Sequence, residues 1–152
     1  VKLHNQMEAE WKREVVKKPK LRTFRLLKEN IACEDYVHKL YNRRHRSLYT
    51  QFRHGILPLK VETGRFQQVE LHNRLCDSCN AEEVEDEIHF LCRCSIYNDL
   101  RCILYETLPD SPTFVRNDDN IFVYLMKFKY KEVSVFLSQA WEIRQQSLYT
   151  QS

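Results

Sequence analysis

The chain has 152 residues, enough for one compact domain, and its 43% hydrophobic and 12% aromatic residues can supply a core. Its two glycines exclude the Gly-rich loops of ATP- and dinucleotide-binding domains, and its few glycines and prolines disfavour a turn-rich β-sandwich or barrel. The net charge of +3 conceals an asymmetry, because residues 1–66 carry 16 Lys and Arg against 7 Asp and Glu, whereas residues 67–152 carry 8 against 14. A basic front half favours a surface suited to a polyanion.

Features that the sequence lacks indicate the origin and the cellular compartment of the protein. It begins at Val1 instead of Met, so we expect a piece cut from a longer polypeptide. No apolar run approaches the roughly 20 residues that span a bilayer, and nothing resembles a signal peptide. The sequence therefore predicts an intracellular protein of the nucleus or cytoplasm with no membrane contact, and it leaves the oligomeric state open.

The first element is an amphipathic helical arm over residues 1–19. Leu3, Met7, Trp11 and Val15 recur at i, i+4 spacing, which places one narrow apolar stripe on a helix that stops near Pro19. We expect this arm to lie on the rest of the domain or on a neighbour. Residues 20–28 fit neither helical nor strand periodicity and are expected to form a short strand or a helical turn.

Two helices follow, and then a loop. Residues 34–42 are expected to place Tyr36, Val37, Leu40 and Tyr41 on one helical face. A second helix is predicted over residues 44–54, with Gly55 just beyond its end in the left-handed conformation. Residues 56–67 contain a proline and a glycine and are expected to form a loop or a short hairpin.

The second half of the chain is also predicted to be helical. Ser95 is expected to cap a helix that Pro109 and Pro112 end, and Asn120 to cap a helix over residues 121–129. The last helix, over residues 131–148, has the clearest apolar face on the chain. The fold class that these patterns predict is mainly α, a compact helical domain over residues 20–152.

A cysteine–histidine cluster is the strongest motif in the sequence. Five of the six cysteines fall within 27 residues, and Cys76-x2-Cys79 followed by His89 and Cys94 has the spacing of a structural zinc site. Cys92 is an alternative fourth ligand, because it lies three residues after His89 and would share its face on an unbroken helix. The sequence predicts a closed zinc knuckle of the CCHC type, embedded in the helical domain over residues 74–95, with no position left for catalysis.

Acidic residues just before His89 could orient it. A zinc-bound histidine usually donates its other ring nitrogen to a carboxylate or a carbonyl oxygen. Glu85, Asp86 and Glu87 are the candidates for that carboxylate, and the alternative is that they form a solvated helix start.

Five segments of the chain carry a recognisable combination of motifs. They are residues 53–59 (RHGILPL), 62–65 (ETGR), 74–79 (RLCDSC), 84–91 (VEDEIHFL) and 94–101 (CSIYNDLR). Together they resemble the zinc-binding domain at the C-terminal end of reverse transcriptases from non-LTR retrotransposons. The resemblance covers roughly residues 43–101 and favours Cys94 over Cys92 as the fourth ligand. Cys92 and Ser95 depart from the residues that are commoner in the family.

The resemblance implies a non-catalytic accessory module that grips template RNA or target DNA beside an upstream polymerase domain of the same polypeptide. This chain has no palm motif with paired aspartates and is not expected to be an enzyme. Several basic residues lie near aromatic ones, as phosphate contact combined with base stacking requires. The candidate nucleic-acid-binding residues are Lys17, Lys18, Lys20, Arg22, Arg25, Arg43, Arg44, Arg46 and Arg53.

A second hypothesis is a structural zinc domain that docks on a partner protein through its terminal helices. The sequence does not separate RNA from DNA, and it does not show whether the chain belongs to an active mobile element.

Overall fold

The computed structural model describes residues 1–150, and this part of the chain is mainly helical, as predicted. It contains no strand, only an isolated antiparallel bridge between Leu75 and Val84. The α-helices are α1 (Lys2–Val16), α2 (Phe24–Leu27), α3 (Asp35–Lys39), α4 (Arg43–Arg53), α5 (Lys60–Phe66), α6 (Asn98–Tyr105), α7 (Asp118–Phe128) and α8 (Tyr130–Thr150). Short 3-10 turns lie at Pro19–Leu21, Leu71–Asn73 and Ser95–Tyr97, and one π-helical turn at His89–Arg93. Within residues 1–150, no helix combines the length and apolar character that crossing a bilayer requires.

The core is organised around α8, which packs against α4, α6 and α7. Val133, Phe136, Leu137 and Ala140 are buried because their i, i+3, i+4, i+7 spacing puts them on one face of the helix. Phe90 lies at the centre, with its ring centroid 4.7 Å from that of Tyr97. The core therefore joins the long C-terminal helix to the segment that carries the candidate metal ligands.

Both ends of α4 follow local sequence rules. Asn42 caps its start by accepting a hydrogen bond from the His45 amide at 3.1 Å. Gly55 adopts φ +66°, the left-handed conformation predicted for it, and the Ile56 amide donates to the Gln51 carbonyl at 3.0 Å. This six-to-one bond is the Schellman arrangement, in which glycine is favoured because it has no Cβ.

The predicted helix near the N-terminus forms, but only its C-terminal end is packed. Val15 is buried, and the Trp11 ring makes an edge contact with Phe24 at 6.2 Å between centroids. Leu3 is 70% exposed and Met7 56% exposed. The first half of the apolar stripe therefore has solvent-facing side chains.

Several predicted elements differ in the structure. The helix expected over residues 34–42 ends at Lys39, since Leu40 and Asn42 are extended. Val37 and Tyr41, both expected on its apolar face, are exposed. Residues 20–28 form the 3-10 turn and α2, which agrees with the expected helical turn and excludes the strand.

Residues 56–67, expected as a loop or hairpin, instead contain α5. Gly64 lies inside this helix. A Cβ at this position would be only 2.6 Å from Cγ of Arg74, so the packing of Arg74 leaves room for glycine but not for a side chain.

The residues that cap two helices also differ from the prediction. Asn117, not Asn120, caps α7 by accepting from the Asn120 amide at 2.8 Å, and Ser95 lies in a 3-10 turn ahead of α6 without a capping hydrogen bond.

Candidate metal centre

The cluster begins with a short antiparallel pairing around the bridge between Leu75 and Val84. The Cys76 amide donates to the Glu83 carbonyl at 2.9 Å, and the Glu85 amide donates to the Arg74 carbonyl at 3.0 Å. These bonds close the residues between them into a compact loop. As a result Cys76 and Cys79 lie beside the segment that starts at His89.

The four predicted ligand side chains meet at one point. The ligand atoms of Cys76, Cys79, His89 and Cys94 all lie within 4.8 Å of one another. The sulfur atoms of Cys76 and Cys94 are 3.9 Å apart, and the Cys79 sulfur is 3.4 Å from His89 Nε2. Cys79 is partly buried and the other three are buried. This arrangement could hold one metal ion.

Cys94 joins the cluster because of the π-helical turn at His89–Arg93. The Cys94 amide donates to the His89 carbonyl five residues earlier, at 2.7 Å, so the backbone makes a wider turn than an α-helix and returns Cys94 to the side of His89. Cys92 points elsewhere, with its sulfur 3.9 Å from the Asp118 carbonyl. Burial raises the pKa of the Cys92 thiol to about 12, which keeps it protonated.

Glu83 orients His89. Its Oε2 lies 2.9 Å from His89 Nδ1, which directs Nε2 toward the cysteines. The expectation that Glu85, Asp86 or Glu87 would contact this nitrogen is wrong. Asp86 accepts the His89 backbone amide at 2.8 Å, while Glu85 and Glu87 form ion pairs with arginines elsewhere. Sequence analysis missed Glu83 because it lies six positions before His89, and only the folded loop brings its carboxylate to the imidazole ring.

Contacts within the cluster shift the pKa values of Cys76, His89 and Cys94 in different directions. The hydrogen bond from Cys94, assisted by His89, lowers the pKa of Cys76, and the same contact raises the pKa of Cys94. Burial by itself would lower the pKa of His89, but hydrogen bonds to Cys76 and Glu83 outweigh burial and raise that pKa to about 9. The lowered pKa of Cys76 favours its thiolate, the form that ligates metals.

Arg101 supports the backbone on both sides of the π-helical turn. Its Nε donates to the Leu91 carbonyl at 2.8 Å and its Nη2 to the Cys94 carbonyl at 2.6 Å. The side chain is only 6% exposed. Arg101 closes the last of the five segments that carry the family resemblance, and this was the only signal in the sequence for its role.

A buried ion pair joins the knuckle to α8. Arg144 donates to both carboxylate oxygens of Glu85 at 2.8 and 2.9 Å, and Glu85 also accepts the Lys60 amide at 2.8 Å. The guanidinium of Arg144 lies over the Trp141 ring. Sequence analysis missed this contact because the two residues are 59 positions apart.

Five of the nine predicted nucleic-acid-binding residues have exposed side chains. Arg43 and Arg44 lie in the first turn of α4, where Arg44 also forms an exposed ion pair with Glu142 at 2.8 Å. Lys17, Lys18 and Arg25 lie together in sequence around the end of α1 and the start of α2.

The other four of these residues make contacts within the fold. Lys20 pairs with the buried Glu62 at 3.3 Å, and Arg46 donates to the Leu40 carbonyl at 2.7 Å. Arg22 pairs with the buried Glu87 at 2.6 Å, and Arg53 is only 2% exposed. Arg22 and Arg53 therefore act as internal ion-pair partners in this fold.

The aromatic residues near the basic ones also divide into two groups. Tyr49 and Phe52 are buried in the core, so they are not available for stacking on a base. Tyr41 is 86% exposed and precedes Arg43 and Arg44 by two and three positions.

Comparison with known proteins identifies no relative: no protein-family model, curated protein or solved structure matches this chain.

Proposed function

We propose that this chain is a non-catalytic zinc-binding module that grips RNA or DNA, as the C-terminal accessory part of a retrotransposon reverse transcriptase. The observation that carries the proposal is the convergence of three thiols and one imidazole in a chain whose front half is basic. The sequence resemblance supplies the family, and the upstream partner in the same polypeptide would be the polymerase domain.

The sulfur-rich set of four ligand side chains supports zinc as the metal. Thiolates around a tetrahedral zinc ion lie about 3.8 Å apart, and a thiolate and an imidazole nitrogen about 3.6 Å apart, given the usual metal–ligand bond lengths. The corresponding distances here are 3.9 Å between Cys76 and Cys94 and 3.4 Å between Cys79 and His89. Sulfur-rich ligand sets also disfavour magnesium and calcium, which prefer oxygen.

A structural role for the metal follows from the same ligand set. Four protein ligands complete the tetrahedral coordination of zinc, so no position is left for a substrate or an activated water molecule. His89 and Cys94 flank Phe90 and Leu91, which are both fully buried. A bound ion would therefore join the loop that carries Cys76 and Cys79 to the core segment around Phe90 and Leu91. The proposed role of the module is then to present a binding surface to nucleic acid.

The proposed nucleic-acid surface consists of the exposed side chains Tyr41, Arg43 and Arg44 on one segment and Lys17, Lys18 and Arg25 on another. Arginine and lysine contact phosphates without reading the sequence, and an exposed tyrosine can stack on an unpaired base. Arg43 and Arg44 are the strongest candidates because they follow the exposed Tyr41 by two and three positions in the sequence.

The test is a charge reversal with a matched control. The double variant Arg43→Glu/Arg44→Glu should weaken binding of single-stranded RNA and duplex DNA at low salt, and it should reduce the salt dependence by about one to two phosphate contacts. Fluorescence anisotropy across a salt series measures both effects. Arg116→Glu/Lys131→Glu makes the same charge change at exposed positions outside the proposed surface and should bind more tightly than the test variant. Equal loss in both variants, or no binding by the unaltered protein, would overturn the proposal.

A second candidate function is docking on a protein through α1. The specific observation that favours it is the exposure of Leu3 and Met7 on the apolar stripe of that helix. Leu3→Glu/Met7→Glu should then abolish a dimer or protein complex that is detected by solution mass, and it should leave the affinity for nucleic acid unchanged.

A further inference from the structure

The C-terminal end of α5 carries an exposed aromatic ring beside a guanidinium group. Phe66 is 70% exposed, and the guanidinium carbon of Arg65 lies 4.4 Å from the centre of its ring. A cation over a ring at this distance makes a cation–π contact, which stabilises the arrangement of the two side chains. The ring therefore has a cation on one face, while most of its surface is open to solvent.

Two cations share a single buried carboxylate next to this ring. Glu62 has a side chain that is 4% exposed, and its Oε1 lies 2.9 Å from Arg65 Nη2 and 3.3 Å from Lys20 Nζ. The hydrogen bonds from Arg65 and Lys20 outweigh burial and lower the pKa of Glu62, so the carboxylate stays ionised. Within residues 1–150 neither cation forms an ion pair with another acidic group. One positive charge at this surface is therefore uncompensated.

The two cations do not use all of their hydrogen-bond donors on this carboxylate. Arg65 donates from Nε at 3.3 Å and from Nη2 at 2.9 Å to the two oxygens of Glu62, which leaves Nη1 outside the pair. A lysine ammonium has three donors, and one contact with Glu62 does not occupy them. The side chains of Arg65 and Lys20 are both about two-fifths exposed. Each cation therefore retains donors for a phosphate oxygen without losing its contact with Glu62.

The surroundings of Phe66 favour a nucleic-acid strand over a protein partner. Its neighbours along the chain are polar and exposed, namely Arg65, Gln67 and Gln68. A protein interface has an apolar core to which several side chains contribute. Proteins that bind single strands instead place aromatic rings among cations that follow the phosphate backbone. A ring between polar residues, with uncompensated positive charge beside it, matches the second arrangement.

We propose that Phe66 is a stacking platform for an unpaired base, with Lys20 and Arg65 contacting the adjoining phosphates. Lys20 follows Lys17 and Lys18 by three and two positions, so it extends the basic segment already assigned to the proposed surface. The inference rests on the proposed function and adds to it a preference for single strands. In a duplex the bases stack on one another, so a duplex can reach the cations but not the ring. Because every base has a π face, the platform accepts RNA and DNA without selecting a sequence.

The test compares Phe66→Ala with Phe128→Ala in the zinc-loaded protein. Phe128 is 66% exposed at the end of α7, so the control removes an equally exposed ring from another element. Phe66→Ala should weaken binding of a mixed-sequence single strand, prepared as RNA and as DNA, by at least about fivefold, and binding of a long DNA duplex by less than about twofold. Phe128→Ala should leave both affinities unchanged. Fluorescence anisotropy with labelled strands measures all four combinations.

A conservative variant separates stacking from a general effect of the substitution. Phe66→Trp keeps a planar ring at this position and should retain the affinity for single strands that Phe66→Ala loses. A base stacked on the new indole should also quench its emission, beyond any quenching seen in the unaltered protein. The duplex should not produce this additional quenching.

The contribution of the cations is tested with Lys20→Gln, which leaves the pair of Arg65 and Glu62 intact. This variant should weaken binding of single strands and of the duplex alike, and it should reduce the salt dependence by about one phosphate contact. Lys131→Gln removes the same charge at an exposed position of α8 and should have a smaller effect.

Three results would overturn the stacking platform. They are equal single-strand affinities of Phe66→Ala and Phe128→Ala, an equal loss for single strand and duplex in Phe66→Ala, and a changed solution mass of Phe66→Ala with its nucleic-acid affinity retained. The last result would identify a protein contact instead. In each case the charge reversal at Arg43 and Arg44 still tests the proposed function by itself. If the unaltered protein binds no nucleic acid, the proposed function and this inference both fail.

Discussion

His89 shows how one side chain outside the ligand set determines what a ligand can do. Glu83 contacts Nδ1 at 2.9 Å and so leaves Nε2 to face the cysteine sulfurs. A carboxylate in this position selects the ring tautomer and makes the imidazole a better ligand. We therefore expect Glu83 to affect metal affinity although it does not belong to the four converging side chains.

We expect Glu83→Ala to lower zinc affinity about 10- to 100-fold, because the ring loses its orienting partner. Competition with a chromophoric chelator measures the change. Glu82→Ala is the control, since Glu82 is the adjacent exposed carboxylate and has no ligand contact among the described hydrogen bonds. Equal affinities of the two variants would show that Glu83 does not support the metal site.

Gly64 provides a second prediction at the scale of the residue. Alanine normally stabilises the interior of a helix by about 1 kcal/mol over glycine. Here a Cβ would lie 2.6 Å from Arg74 Cγ, and Arg74 donates to the carbonyls of Val61 at 2.9 Å and Val69 at 2.8 Å. Gly64→Ala should therefore destabilise the fold by about 1–2 kcal/mol because Arg74 must move.

A double-mutant cycle separates these two effects on the stability of α5. In an Arg74→Ala background the obstruction is absent, so Gly64→Ala should become neutral or stabilising in urea unfolding. If the substitution costs the same free energy in both backgrounds, contact with Arg74 is not the reason for the glycine.

At the scale of elements, α8 is joined to the knuckle by the pair of Glu85 and Arg144 in addition to apolar packing. Their side chains are 3% and 8% exposed. A buried ion pair contributes little relative to a well-packed apolar pair, but removing one partner leaves a buried charge without compensation. The contact therefore makes the position of α8 depend on the knuckle being formed.

We predict that Glu85→Ala reduces the free energy of unfolding by about 3–5 kcal/mol, because Arg144 and the Lys60 amide both lose their acceptor. Glu142→Ala removes the exposed ion pair of the same helix with Arg44 and should cost less than about 1 kcal/mol. Chemical denaturation of both variants gives the comparison. A small loss for Glu85→Ala would mean that solvent reaches Arg144.

At the scale of the whole molecule, the candidate metal site is continuous with the hydrophobic core. Cys76 and Cys94 belong to the same buried cluster as Phe52, Phe122 and Leu137. A metal ion that binds only the folded state adds its binding free energy to the stability of that state. Metal removal should consequently affect the entire fold, not the knuckle alone.

A zinc chelator should therefore lower the Tm of the zinc-loaded protein by more than about 10 °C, since each kcal/mol lost changes the Tm of a domain this size by about 2–4 °C. Circular dichroism at 222 nm follows the loss of helices. The same chelator already saturated with zinc is the control and should leave the melting curve unchanged. An unchanged curve with free chelator would contradict a structural metal.

By itself the sequence determined the helical class, the long helix at the C-terminal end and three members of the candidate metal cluster, Cys76, Cys79 and His89. These depend on local regularities: the 3.6-residue period of an apolar face, the left-handed glycine at residue 55, and the fixed separations within a metal-binding knuckle. It did not determine α5, because a proline and a glycine within one short segment favour a loop by local propensity, and packing against Arg74 reverses that preference.

Only the tertiary structure decided which charged residues lie inside. Arg22 and Glu87 are 65 positions apart, and Glu85 and Arg144 are 59 apart, so no local pattern pairs them. The turn that brings Cys94 rather than Cys92 to His89 likewise depends on the backbone forming a π-helical bond that spacing alone does not specify. Periodicity is a property of neighbouring residues, whereas burial and charge pairing arise only when distant segments pack together.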